Sequence, residues 1–152
     1  LSVSSGSSVN YVNANFIAKE KGIDLSTKAL TNSSGYKNKV TIKITTSKGV
    51  KSISGTVFGE DVQRVVELDG FKIDVEPKGK MIIMKNKDIP GVVGKVGNIL
   101  GQNGINISDF RLSRGKEGTA LAVILIDEKA NSKVISELDS LEASIAVAYA
   151  EI

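Results

Sequence analysis

The most constraining feature of this sequence is the succession of apolar patterns between residues 80 and 152. Met81-Ile82-Ile83-Met84 is a short continuous apolar run, the pattern of a strand covered on both faces. Val92, Val93, Val96, Ile99 and Leu100 then recur at helical spacing across residues 91–102. Pro90 stands where a proline opens a helix at its first position, and Gly104 stands where one ends. Residues 105–112 alternate as a strand, Arg114-Gly115-Lys116-Glu117-Gly118 reads as a tight turn, and residues 119–126 are apolar almost throughout. Val134, Ile135, Leu138 and Leu141 mark a second helix, and Ile145, Val147 and Tyr149 alternate across residues 144–152. The order is βαββαβ, which is the ferredoxin-like split βαβ arrangement.

The preceding residues carry a different rhythm. Val9, Val12, Phe16 and Ile17 share one face of a helix expected from Val9 to about Lys21, with Gly22 placed to end it. Residues 24–38, containing Asn32-Ser33-Ser34-Gly35, read as a loop. Val40, Ile42 and Ile44 alternate with Thr41 and Lys43, and a Ser47-Lys48-Gly49 turn leads into a strand over residues 50–58. Asp69-Gly70 between residues 65–68 and 71–75 is a strong hairpin signal. A two-residue loop pairs Leu68 with Phe71 and Val66 with Ile73, so both apolar pairs are expected on one face. This half reads as a small helix-on-sheet domain. The predicted architecture is therefore α+β, with a linker over residues 1–8, a first domain over 9–78 and a βαββαβ domain over 79–152.

Composition narrows the chemistry. The 152 residues include no Cys and no His, which excludes disulfides, thiolate zinc sites, a Cys nucleophile and a Ser–His–Asp triad within this segment. A net charge of +3 is ordinary for a chain of this length and gives no strong pointer to nucleic acid. No apolar run approaches the ~20 residues that span a bilayer, so no membrane partner is expected. The first residue is Leu1, and the Ser/Gly-rich start reads as linker, so the segment is expected to come from a longer chain.

The glycines after the first βα strand invite a nucleotide reading, which fails. Gly91, Gly94 and Gly97 are spaced G-x-x-G-x-x-G inside a helix, whereas a dinucleotide fingerprint needs G-x-G-x-x-G directly after the strand. Gly94-Lys95 is followed by Val96, where a phosphate loop needs Ser or Thr. Glycines 91, 94, 97 and 101 instead leave a smooth helix face suited to close approach of a neighbour. Asn86-Lys87-Asp88-Ile89-Pro90-Gly91 is a polar loop entering a helix N-terminus, whose free amides and dipole favour a carboxylate or phosphate. Asp88 either caps that helix or receives an ammonium group. An amino acid carries both charges, and Asn106 after Gly104 is either turn chemistry or a polar contact returning to the same place.

Asn86-x-Asp88-x-Pro90-Gly91-Val92, followed by Gly104-Ile105-Asn106-Ile107 on a βαββαβ chain, resembles an ACT domain, the amino-acid-sensing module of many metabolic enzymes. The run from Gly91 to Gly101 is similar to the ACT domain of long-form D-3-phosphoglycerate dehydrogenases. Val9-Asn10-Tyr11-Val12-Asn13-Ala14, Ile17-Ala18-Lys19-Glu20-Lys21-Gly22-Ile23 and Ser54-Gly55-Thr56-Val57-Phe58-Gly59 resemble the preceding intervening, or allosteric substrate-binding, domain of that family.

The resemblance implies feedback regulation by L-serine in serine biosynthesis, at an interface joining ACT domains of two subunits of a cytoplasmic homo-oligomer. It assigns Asp88 to the ammonium, amides near Val92 and Val93 to the carboxylate, and Asn106 of a second subunit to the same ligand. Two residues before the Asp, where relatives often carry His or Tyr, this chain has Asn86. The segment would be non-catalytic and metal-free, its catalytic part, with NAD, lying upstream. An anionic effector is implied for the first domain. Arg64 falls at a basic position of that family, another such position is Glu76 here, and Lys72, Lys78 and Arg111 are the alternatives. Two further readings compete. One is the regulatory portion of an iron–sulfur L-serine dehydratase, which the same pair of domains also resembles. The other is an RNA-binding βαββαβ module, for which the central strands offer only Phe110 as a stacking aromatic.

Overall fold

Strand-forming residues dominate the middle of the chain, and the computed structural model places them in two four-stranded sheets. It describes residues 9–29, 35–47 and 49–152; the linker expected over 1–8, Asn32-Ser33-Ser34 of the expected loop and Lys48 of the expected turn lie outside the described residues. The chain divides into two compact units, of which the second is Gly35–Ile152.

The first unit contains helix α1 (Ala14–Glu20). It starts later than the expected Val9: Asn10 Oδ1 accepts from the N–H groups of Val12 and Asn13, and Asn13 Oδ1 accepts from Asn10 N–H. This reciprocal pairing is that of a capping box with Asn10 at the cap, so Val9 lies outside the turn that leads into the helix. Gly22 ends the helix as expected, at φ +67°, with Gly22 N–H on Lys19 O and Ile23 N–H on Ala18 O. Of the expected apolar face, Val12 and Phe16 are exposed and Ile17 is half-buried.

In the second unit, β1 (Val40–Thr46), β2 (Gly49–Phe58), β3 (Val62–Leu68) and β4 (Phe71–Val75) form an antiparallel meander in that order. Asp69 and Gly70 both take positive φ, the conformation a two-residue hairpin turn requires. Leu68 pairs with Phe71 as expected, but Val66 does not pair with Ile73. A bulge shifts the register so that Val65 faces Val75, and Val65 rather than Val66 joins the cluster formed by Phe71, Ile73 and Val75.

The second sheet holds β5 (Lys80–Lys87), β6 (Ile107–Arg114), β7 (Thr119–Ile126) and β8 (Ser144–Glu151) in the order β6-β7-β5-β8, every neighbouring pair antiparallel. Helices α2 (Val92–Gln102) and α3 (Ser132–Asp139) connect them. This is the expected α+β, ferredoxin-like order. One face packs Ile82, Met84 and Ile124 against Val96, Leu100, Val134 and Leu138 of the two helices. The other packs Met81, Leu121, Val123 and Leu125 against Phe71, Ile73 and Val75 of β4. The two covers explain why residues 119–126 are apolar without alternation: both faces of β7 are buried. The boundary expected at residue 78 falls between β4 and β5, and the two sheets share this second apolar cluster. No helix among the described residues is long and apolar enough to cross a membrane.

Candidate amino-acid site at the first βα turn

Strand β5 runs three residues beyond its apolar core of Met81–Met84, so Asn86 is not in a loop. It is a buried strand residue whose Nδ2 donates to Lys87 O at 2.6 Å. Asp88 follows the strand, its N–H donating to Gly118 O at 2.8 Å. Pro90 is not the first helical residue. Gly91, at φ +86°, turns the chain, and α2 starts at Val92 with no side-chain cap. Asp88 therefore does not cap α2; its carboxylate forms an ion pair with Arg114 at 3.1 Å. The first-turn amides of Val92 and Val93 stand at the positive end of the helix dipole with no side chain satisfying them.

These groups surround one cavity. Asp88 and Phe110 line it, together with the exposed Ile89, Val93 and Leu112 and the buried Met84, Asn86, Val92, Val96, Ala120 and Ala122. It encloses about 30 Å³, room for a water rather than for an amino acid. Val93, counted in the apolar stripe from its spacing, is half-exposed at this cavity instead of buried in the core. Phe110 faces the helix side and packs against the core there, while β4 covers part of the opposite face. A base cannot stack on Phe110 without opening that core.

Asn106 is not beside Asp88. It precedes β6, with its Nδ2 donating to Asp127 Oδ2 and its N–H to Glu128 Oε2, both at 2.7 Å. Strand β6 runs from there towards Arg114, so the eight residues of the strand put Asn106 about 25 Å from Arg114, the partner of Asp88, at ~3.3 Å per residue. Within one chain the expected return of Asn106 to the Asp88 site does not occur. The glycine face of α2 is also not closely approached, since a Cβ at Gly94, Gly97 or Gly101 would meet nothing within 4 Å.

Two family models match the sequence: the D-3-phosphoglycerate dehydrogenase intervening domain over residues 1–69 and the ACT domain over residues 80–143. Among curated proteins, the D-3-phosphoglycerate dehydrogenase of Bacillus subtilis is 36% identical over 142 residues, 93% of this chain and 27% of the relative. That of Archaeoglobus fulgidus is 29% identical over 147 residues, 95% of this chain and 28% of the relative. That of Synechocystis sp. is 31% identical over 142 residues, 93% and 26%. The chain belongs to the D-3-phosphoglycerate dehydrogenase family. It spans about a quarter of the length of these relatives, and the matched domains are those of the family's regulatory region.

The cations singled out for an anion in the dehydrogenase intervening domain do not converge as a set. Arg64 is bound to Asp74 at 2.6 Å, Lys78 to Glu76 at 2.8 Å and Arg111 to Asp109 at 2.9 Å. The Asp74 carboxylate, hydrogen-bonded to Arg64, raises the guanidinium pKa further, against slight desolvation. Lys72 and Arg111 do meet, with Tyr36, Val66, Ile73, Asp74 and Leu112, in an open groove of about 350 Å³ where the two sheets adjoin.

The β6–β7 turn lies where the sequence places it, but the sequence does not single out Arg114 as a residue of the site. Arg114 lies far from Asp88 in sequence and was read only as part of a turn. Its alternation with Phe110 and Leu112, which line the cavity, was the available signal. Gly91 alone turns the strand into the helix, while Gly94 and Gly97 lie within α2, so no glycine loop fitted to a dinucleotide pyrophosphate is present here. Among the described residues no three His, Cys, Asp or Glu side chains are grouped to hold a metal ion.

Proposed function

We propose that this segment senses L-serine as the feedback-regulatory region of an NAD-dependent, cytoplasmic D-3-phosphoglycerate dehydrogenase, its domains being the intervening domain over residues 9–78 and the ACT domain over 79–152. The observation that carries the reading is the pairing of opposite polarities at one cavity. The Asp88 carboxylate stands beside the uncapped amides of Val92 and Val93, which matches the ammonium and carboxylate of a free amino acid. Asn86 supplies an amide in the cavity wall for the side-chain hydroxyl. The small enclosed volume and the remote Asn106 both fit a site finished by a second copy, in which ACT domains pair and the partner's Asn106 closes over the ligand. Serine then inhibits only by binding the less active arrangement better, a coupling of typically ~1–3 kcal/mol.

The test is calorimetric titration of L-serine into this chain and into Asp88→Ala. Heat from the wild type and none from the variant is expected. No heat from the wild type, or equal heats from both, overturns the assignment.

A second reading rests on the groove between the sheets. Lys72 and Arg111 face it together and Lys72 carries no ion pair among the described residues, which suits a small anion. Arg64 and Lys78, each neutralised by a carboxylate, would act only at its margin. Phosphate binding that disappears in Lys72→Ala is the expected result, and equal binding by both proteins discards the groove.

A further inference from the structure

We infer that Arg114 is an internal competitor for the effector's ammonium group, a guanidinium that holds Asp88 until an amino acid displaces it. The inference rests on the amino-acid reading of the Asp88 cavity and adds to it a residue that sets its affinity. Three observations carry it. In β6, Phe110, Leu112 and Arg114 alternate onto one face; the first two line the cavity, and Arg114 is in register with Ala120, which lines it too. The row therefore ends in a cation beside the cavity. The Arg114 Nε lies 3.1 Å from Asp88 Oδ2, at the carboxylate that a ligand ammonium would need.

The side chains differ sharply in freedom. Arg114 is 77% exposed and Asp88 28%, so the guanidinium can leave for water while the carboxylate stays. Asp88 is fixed from behind, its N–H on the carbonyl of Gly118 in the same turn. That turn is closed by the Gly115 N–H on Thr119 O at 2.7 Å, with Glu117 and Gly118 both at positive φ. The backbone thus holds the acid in place and presents beside it a displaceable base. A ligand ammonium that takes Asp88 Oδ2 must displace the guanidinium, which lowers its apparent affinity by up to the strength of the pair.

The experiment is titration of L-serine into the wild-type chain, Arg114→Gln and Arg114→Lys at low ionic strength. Arg114→Gln removes the charge but keeps the length and a hydrogen-bond donor, and is expected to bind about twofold to fivefold more tightly. Arg114→Lys restores a competing cation and is expected to return towards wild-type affinity. Unchanged affinity in Arg114→Gln overturns the inference while leaving the site intact. Weaker binding in that variant also overturns it, and makes Arg114 a ligand contact instead. Absence of binding in all three proteins overturns the amino-acid reading itself.

Discussion

The Phe71 ring of β4 lies where a Cβ on residue 115 would stand, so Gly115 in the β6–β7 turn and Phe71 in the first sheet are matched across the two sheets. Phe71 is nearly buried there, with the Lys85 ammonium 5.6 Å from its ring centre. An added methyl at residue 115 would also come within 2.9 Å of Thr119 Oγ1. Gly→Ala in an unstrained backbone ordinarily stabilises by ~0.4–1 kcal/mol. Here overpacking of ~1–3 kcal/mol opposes that and wins. Gly115→Ala is expected to lower the urea midpoint, and Phe71→Leu in the same chain to restore part of the loss. Additive effects of the two substitutions would show that the residues do not touch.

Gly97 presents the opposite case. It lies inside α2, and a Cβ there meets nothing within 4 Å. Gly97→Ala is expected to stabilise the fold by about 0.5–1 kcal/mol through helix propensity alone. Thermal unfolding checks this. A lower melting temperature would mean that another molecule covers this glycine face in solution.

Asp69 gives the fold a dependence on acid. Burial works against its charge, but hydrogen bonds from Lys51 Nζ and the Ser52 N–H outweigh that and hold its pKa below the ordinary 3.8. A lowered folded-state pKa stabilises above the unfolded value and is lost as pH falls through the folded value. The wild type is therefore expected to lose stability below about pH 4 more steeply than Asp69→Asn, which keeps an oxygen acceptor and tolerates the left-handed turn. Parallel unfolding curves at pH 7 and pH 3 decide it, and identical losses in the two proteins reject the role.

Helix α3 depends on a side-chain cap. Asn131 Oδ1 accepts from Val134 N–H at 3.1 Å, directly above a buried valine. Asn131→Ala is expected to cost ~1 kcal/mol, and Asn131→Asp to retain most of it. Denaturant titration of both variants separates loss of the cap from loss of the amide.

Much of this fold was legible because its signals are local. Residues 71–75 and 119–126 are strands with the bounds their apolar runs suggest, and Gly22 and Gly104 end helices in the left-handed conformation only glycine adopts freely. The misses have nonlocal or competing causes. The Val66–Ile73 pairing gave way to a bulge that brings Val65 opposite Val75, a choice made by packing against the second sheet rather than by the Asp69-Gly70 turn. The start of α1 lies after Val9 because the chain enters it through a turn capped by Asn10 and Asn13, which apolar spacing does not register. At the candidate site, the carboxylate and the helix start could be read from Asp88 to Val93. Arg114 needs both the alternation of β6 and its register with β7 to come alongside, and only the alternation is written in the sequence.

Asn106 and Asp88 stand at opposite ends of the second sheet, each already fixed by its own neighbours. A small molecule that touches both must bridge two copies of the chain. Its occupancy then obeys mass action in protein as well as in ligand: dilution of the chain alone would release it, and saturating ligand would in turn draw separate chains together. For such a site a dissociation constant quoted without the protein concentration has no fixed meaning.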